Sequence, residues 1–523
     1  MDLRRGAERP HSRRALLFGG LAAVVGFLAF VEFTSGVLQG YYTPLLTDIA
    51  RHLGIHDADV NWLEGSQLML SALVVPVLSK LGDLVGHRRV LLWSTAVTFL
   101  ASVALVVAPV FWLFLIAWAL QGFYVVWLPL EIALIYIRTV HQQREGLAGA
   151  SALAQVGPAT VTRRAAAVLV GALELGAIAG ALSAGALVDA LPLQVVLAVP
   201  AVIVGICWVV ILLGVEETPG ARLENFSRAA FDTRGLVLVT LSLVMLMGAL
   251  FVVRGTGLDA GHLGFWAAVG MMAVGLWWLG VFIRHERVHP DPMIDVRMFA
   301  DPALWPVFAT AGLFGVSVLG AQAPLSTFAR TDPSVYGYGL GTTGFQTSLI
   351  IGVYLVAMVV GALLLPLVSR LTTPRWALVI ACLCVAGGFA MFLPFHHSTD
   401  QVMVNMVIVG LGSGALVASL PSAAAAAAPA EQTGVATGLT NSVKTVGGAV
   451  ASCVFGLALA TGAAGVGGVV DGVDGGTAGS FSGYLTVWIV CAGTALVAAV
   501  LLLFVPQRAF SDHVTPADAP VRV

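Results

Sequence analysis

Four glutamates, Glu32, Glu64, Glu131 and Glu174, stand inside long apolar stretches of the chain. A charged side chain at the centre of a membrane helix costs roughly 2.5 to 3.5 kcal/mol on insertion scales, so intramembrane acids face a cavity or a partner and suit proton or substrate handling. Glu174 falls near the middle of its stretch and Glu32 toward one end. Two readings stand for both: a proton-coupling or substrate role, or a protonated side chain satisfied by a backbone carbonyl, since burial disfavours the charged form. Glu131 carries the same proton-coupling option, but Arg138 follows seven residues later on one helical face, which predicts a structural ion pair. Glu64 is expected to be solvated at a helix mouth. The last six apolar stretches hold no acid at depth, so protonation chemistry is expected in the N-terminal half.

Gln39, Trp118, Gln121 and Trp127 form an amphipathic aromatic set that suits the wall of a cavity for a bulky apolar solute. Tryptophans near helix ends also fit interfacial belts. Asp83, Gly86, Arg88 and Arg89 stand in a short charged connection, Ser79 to Arg89. There Gly86 permits a tight turn and Asp83 can meet an arginine or a helix N-terminus, which makes a conformational latch; a solvated basic loop is the plainer reading. Cys207, Cys382, Cys384, Cys453 and Cys491 lack metal-ligand spacing and read as small apolar residues. The eleven histidines avoid the middles of the apolar stretches, so neither a buried histidine relay nor a metal site is expected. No P-loop, H-E-x-x-H or G-x-S-x-G is present, which excludes ATP drive and leaves no catalytic cluster. No cofactor is expected.

The elements that must position these residues follow from composition. Of 523 residues 58% are hydrophobic and 10% charged, and the mean hydropathy is +0.93. Soluble chains run near 25% charged, so the bilayer is the main solvent. The net charge of −2 gives no reason to expect nucleic acid. The apolar stretches number fourteen, beginning with Leu16–Leu38 and ending with Tyr484–Val505, each long enough to span a membrane. Arg4, Arg5, Arg9, Arg13 and Arg14 precede the first, which is too long for a signal peptide and lacks a cleavage site. With both termini cytoplasmic, only Arg51, Arg254 and Arg330 of the 26 Lys and Arg fall outside. That asymmetry supports an even number of spans and this orientation. Thr461–Ser480 reads as a flexible glycine-rich outer loop. Small-residue rows, Gly171, Gly176, Gly180 and Gly185 and then Gly434, Gly438, Gly447 and Gly448, are expected to let helices approach closely.

The 79–89 connection has a degenerate echo in Ser369-Arg370-Leu371-Thr372-Thr373-Pro374-Arg375, as in repeat-built transporters. Leu81, Asp83, Gly86 and Arg88 match the G-x-L-a-D-r-x-G-r-k signature of the major facilitator superfamily. Phe231-Asp232-Thr233-Arg234-Gly235 resembles its F-D-x-x-G, and Phe282 with Glu286, followed by Pro292 to Phe299, resembles F-x-x-x-E and P-l-i-d-l-r-l-F. Glu431 to Gly438, Asn441 and Gly447-Gly448 resemble E-x-x-G-x-a-s-G, N and G-G. The chain thus resembles the fourteen-span drug:H+ antiporter branch. Two positions depart from it: the span-four arginine is replaced by Trp118, and the span-five G-P by Gly180-Ala181.

The resemblance implies an all-α membrane protein of the major facilitator fold, two six-helix bundles with two intervening helices. The expected divisions are a tail over 1–15, a first bundle over 16–215, a linker with two extra helices over 216–304, a second bundle over 305–505 and a tail over 506–523. The expected function is secondary active export of a hydrophobic or amphipathic small molecule from a bacterial cell across its plasma membrane, by proton antiport with alternating access, by a monomer. Its partners would be that molecule, protons and the lipid bilayer. An uncoupled exporter of lipid or an endogenous metabolite is the alternative kept open by Trp118, and a membrane sensor or membrane enzyme is the remote one.

Overall fold

A computed structural model describes residues 21–144, 158–216, 232–256, 260–289, 292, 294–428, 432–461 and 477–504. The five N-terminal arginines, Glu431, most of Thr461–Ser480 and the C-terminal tail lie outside them. The described residues are helical without strands, and fourteen helices are long and apolar enough to cross a membrane. We number them as spans 1 to 14: Ala23–Leu53, Asp57–Val85, His87–Val107, Phe111–His141, Val161–Val188, Leu193–Gly214, Thr233–Thr256, Leu263–Val288, Trp305–Arg330, Gly344–Leu371, Pro374–Met391, Thr399–Ala427, Val435–Ala460 and Phe481–Phe504. In lipid each backbone polar group must be satisfied within its own helix, which is why apolar runs of this length fold this way.

Three spans are longer or more broken than hydropathy predicts. Span 1 runs on past Leu38 through a 3-10 turn at Thr43–Leu45, with Pro44 in it, to Leu46–Leu53, where Gly54 at φ 62° ends the helix. Span 4 is two α-helices, Phe111–Gln121 and Trp127–Arg144, joined by the 3-10 segment Gly122–Val126. Span 9 divides into Trp305–Val318 and Gln322–Arg330. Spans 2 and 3 are joined by Gly86 alone, at φ 107°, a conformation that side chains rarely adopt.

Two buried cores form, one from spans 1–6 and one mainly from spans 9–14. The same clamp recurs in each. A Cβ on Gly36 would lie 1.8 Å from Leu173 O, and one on Gly176 would lie 2.0 Å from Phe33 O, so spans 1 and 5 touch backbone to backbone. In the second bundle a Cβ on Gly315 would lie 1.9 Å from Lys444 O, and one on Gly447 would lie 2.2 Å from Gly312 O. The three-residue spacings on each helix are identical, which makes spans 9 and 13 the counterparts of spans 1 and 5. Spans 7 and 8 pair with each other and reach spans 2 and 13 through Met69, Val239, Leu243, Phe282 and Ala449. Exposed Trp93, Trp112, Leu213, Trp277 and Leu363 turn apolar faces outward, as a lipid solvent requires.

Candidate functional site

Span 1 carries Glu32 and the second helix of span 4 carries Glu131; both side chains are fully buried and adjacent to each other. No hydrogen bond to another group reaches any of the four carboxyl oxygens among the described residues. Two facing carboxyl groups out of water cannot both stay ionised, but a single proton held between them satisfies one oxygen of each. Chemically, such a pair can share one proton. The ion pair expected between Glu131 and Arg138 does not form: seven residues share a face but stand about 10 Å apart along the axis, since a helix rises about 1.5 Å per residue. The charge acting on Arg138 is that of Glu216.

The break in span 4 sets the aim of Glu131. Ser71 of span 2 donates to Gly122 O at 3.1 Å and to Gln67 O at 2.7 Å, and a Cβ on Gly122 would sit 2.6 Å from Ser71 Oγ. Just before the break Gln121 Nε2 donates to the Tyr42 hydroxyl at 2.7 Å and to Ser102 Oγ at 2.9 Å. Tyr42 packs on Trp118 at 5.0 Å between ring centroids. Trp118, Gln121 and Trp127 are thus wholly buried inside the first bundle, whereas Gln39 is exposed, so these four do not form one surface. Glu64 is buried beside Tyr124 rather than solvated at a mouth.

Glu174 has a different setting. It is half-buried on span 5 and feels the ammonium of Lys444, half-buried on span 13 of the other bundle, and it stands near Tyr354 of span 10. A small cavity of about 20 Å³ adjoins Lys444, walled by Phe314, Leu416, Leu420 and Pro421 with Thr440 and Asn441. The charge count on the sequence registered Lys444 only as a cation near a helix end; the fold carries it, half-buried, well inside span 13.

The bundles meet where the connections after odd-numbered spans emerge, here called the odd end. Arg330 Nη2 donates to Asp48 Oδ1 at 2.7 Å, and Ser326 Oγ donates to Thr43 O at 2.5 Å. Asp189 accepts from the N–H groups of Gly344 and Phe345 at 2.8 and 2.9 Å, and Ser348 Oγ donates to Ala181 O at 2.6 Å. Although desolvation pushes the Asp189 carboxyl up, the Phe345 and Gly344 N–H groups hold it below its ordinary value.

At the opposite, even end Gln432 Nε2, just before span 13, donates to Asp295 Oδ2 of the linker at 3.4 Å. Arg88 Nη2 donates to Leu212 O at 3.0 Å and its Nε to Val215 O, which caps span 6. Asp83, on an exposed side chain, meets His87 at 3.2 Å, and Arg89 is exposed. These four latch candidates therefore sit together, and among the described residues no hydrogen bond or ion pair joins them to the second bundle. Asp232 accepts from Gly235 N at 2.9 Å and lies 3.0 Å from His285 Nε2, and a Cβ on Gly235 would sit 2.4 Å from Glu286 Oε1. That crowding is the physical content of the F-D-x-x-G and F-x-x-x-E segments. Asp232, His285 and His289 place their ligand atoms within 4.8 Å of one another, metal-ligand spacing that the histidine survey of the sequence missed because Asp232 arrives from another helix.

Comparison with known proteins agrees with this architecture. The chain is 24% identical over 439 residues to the multidrug resistance protein Stp of Mycobacterium tuberculosis, covering 83% of this chain and 74% of that one. It is 26% identical over 299 residues to the quinolone resistance protein NorB of Staphylococcus aureus, covering 56% and 59%. The crystal structure of the POT family transporter PepTSo superposes with a TM-score of 0.62 at 15% identity, covering 97% of this chain and all of that one, a likeness of fold. The model of the Major Facilitator Superfamily matches residues 28–452. A multi-pass chain with two six-helix cores and no catalytic cluster among its described residues, matched over that length, belongs to the Major Facilitator Superfamily and is a transporter rather than an enzyme.

Proposed function

We propose that this transporter exports hydrophobic or amphipathic small molecules across the bacterial plasma membrane by alternating access, driven by protons entering through the Glu32–Glu131 pair. The observation that carries the reading is two fully buried carboxyl groups facing each other with no cation between them. Such a pair takes up a proton with little change in shape and gives it up only when water or a cation reaches it. Span 1 links the pair to the odd-end seam, because one continuous run carries Glu32, then Thr43 and Asp48. A shift of span 1 on proton release therefore reaches the contacts that close the bundles. The relatives named for multidrug and quinolone resistance support drug-like cargo.

The arginine count supports an exterior odd end, with the closed seam toward the outside and Asp83, Arg88 and Arg89 toward the cytoplasm. There Asp83, bonded to His87 of its own bundle, takes a partner from the second bundle when that end closes. The test is transport in sealed proteoliposomes with and without a pH gradient. Glu32→Gln and Glu131→Gln are each expected to abolish gradient-driven accumulation while sparing downhill exchange. Gradient-driven accumulation persisting in the double variant refutes the assignment.

A further inference from the structure

Where span 7 begins and span 8 ends, side chains with metal-binding chemistry converge. His285 and His289 stand four residues apart at the C-terminal turn of span 8, so both rings lie on one face, with 5.3 Å between their centroids. Asp232 immediately precedes the helix of span 7, which starts at Thr233. One ligand atom from each of these three residues lies within 4.8 Å of the other two. The shortest approaches run from His285 Nε2 to the two Asp232 oxygens, at 3.0 and 3.2 Å. Imidazole nitrogen and carboxylate oxygen both bind zinc at about 2.0 to 2.2 Å, so donors already this close need only small side-chain rotations to share one ion.

A hydrogen-bonded helix cap alone leaves part of this cluster unexplained. Glu286 is fully buried; its Oε2 accepts from Ile294 N at 3.3 Å, but its Oε1 has no hydrogen-bond partner. A Cβ on Gly235 would sit 2.2 Å from Asp232 Oδ2 and 2.4 Å from Glu286 Oε1, so the two carboxyl groups border the same point. Arg234, Arg284 and Arg287 are exposed, and among the described residues none forms an ion pair with either acid. Two neighbouring buried acids are then under-compensated, and a bound cation removes that cost. The Asp232 carboxylate is also held in orientation, because its Oδ1 accepts from Gly235 N at 2.9 Å, as the outer partners of metal ligands do.

We propose that Asp232, His285 and His289 bind a divalent transition-metal ion of the zinc class, with the fourth position left to a water that donates to Glu286 Oε1. Two imidazoles and one carboxylate suit zinc, cobalt and nickel, whereas magnesium and calcium take sets of oxygen ligands. Asp232, Gly235 and Glu286 supply the frame, and the two histidines, which no position of the resembled segments specifies, supply the metal chemistry. The ion ties the start of span 7 to the end of span 8. The site lies outside both six-helix cores and is independent of the proton reading.

Metal titration of the full-length protein tests this. The chain is purified in detergent without a histidine tag, stripped with EDTA, and titrated with zinc against a chromophoric chelator and separately with cobalt(II). One zinc per chain is expected. His285→Ala and His289→Ala should each weaken it at least about tenfold, the lower bound for losing even an outer partner of a metal ligand. His52→Ala and His397→Ala, which remove exposed histidines at the odd end, should titrate as wild type. His289→Cys should keep the ion and give cobalt a thiolate charge-transfer band that the wild type lacks, which only a ligand at position 289 produces and which decides the matter even where an alanine variant fails to fold. No saturable one-to-one zinc binding by monodisperse wild type, unchanged affinity in both alanine variants, equal weakening in the odd-end controls, or a folded His289→Cys protein without the sulfur band overturns the proposal. Transport does not enter the readout, so this result and that of the vesicle assay stand or fall separately.

Discussion

Replacing Arg330 by glutamine removes the charge that joins the end of span 9 to Asp48 of span 1. The contact is 2.7 Å long and the two side chains are only 11% and 17% exposed. Two unit charges about 4 Å apart attract by roughly 4 kcal/mol at an effective dielectric of 20. Part of that is returned, because Arg51 also lies 3.7 Å from Asp48 and keeps it partly compensated, and because glutamine can still donate to Thr342 O. A net loss of about 2 kcal/mol from the closed seam follows, which shifts the closed-to-open ratio about thirty-fold, at 1.4 kcal/mol per factor of ten. Nitroxide labels on exposed His52 and Val335, one on each side of the seam, report that ratio by pulsed distance measurement. The long-distance population should grow in Arg330→Gln and, to a similar extent, in Asp48→Asn. Distance distributions unchanged in both variants would refute the view that this pair holds the odd end shut.

Other variants probe neighbouring contacts. Asp189→Asn should also enlarge the long-distance population at pH 7. Because the folded carboxyl is held low, its contribution is complete above the ordinary aspartate value near ~3.9 and is lost as pH falls through the lower, folded value, so acid should open the wild type but not the variant. Arg88→Gln should lower the thermal unfolding midpoint through loss of about 1 kcal/mol at the C-terminus of span 6. Gly36→Ala should yield little folded protein by size-exclusion analysis, since its Cβ would meet Leu173 O at 1.8 Å, whereas Gly387→Ala, with nothing within 4 Å, should behave as wild type.

Hydropathy made the fourteen spans legible because length and apolarity are properties of each segment alone. The breaks in spans 4 and 9 escaped it, since a 3-10 turn at Gly122–Val126 leaves the apolar average unchanged. Glu32 and Glu131 were each legible as costly residues, but their partnership was not: it depends on how span 1 meets span 4. The expected Glu131–Arg138 pair failed for a local reason, because sharing a helical face does not bring residues two turns apart into contact. Lys444 shows the complementary limit. Counting charges by side assigns a lysine to the nearer end, while the helix carries it, half-buried, well inside span 13.

The repeated clamps make the two bundles alike in packing, so whatever drives them must come from their difference in charge. Glu32 and Glu131 lie within one bundle, and in the proposed mechanism a proton held between them acts on the second bundle through span 1. A ligand shifts an equilibrium between states only by as much as its affinity differs between them. On that proposal the proton must change the fit of span 1 at Thr43 and Asp48, where the seam closes. On the proposed mechanism, proton coupling should accordingly be lost by changes along span 1, between Glu32 and Asp48, that leave the acid pair able to hold its proton and downhill exchange intact.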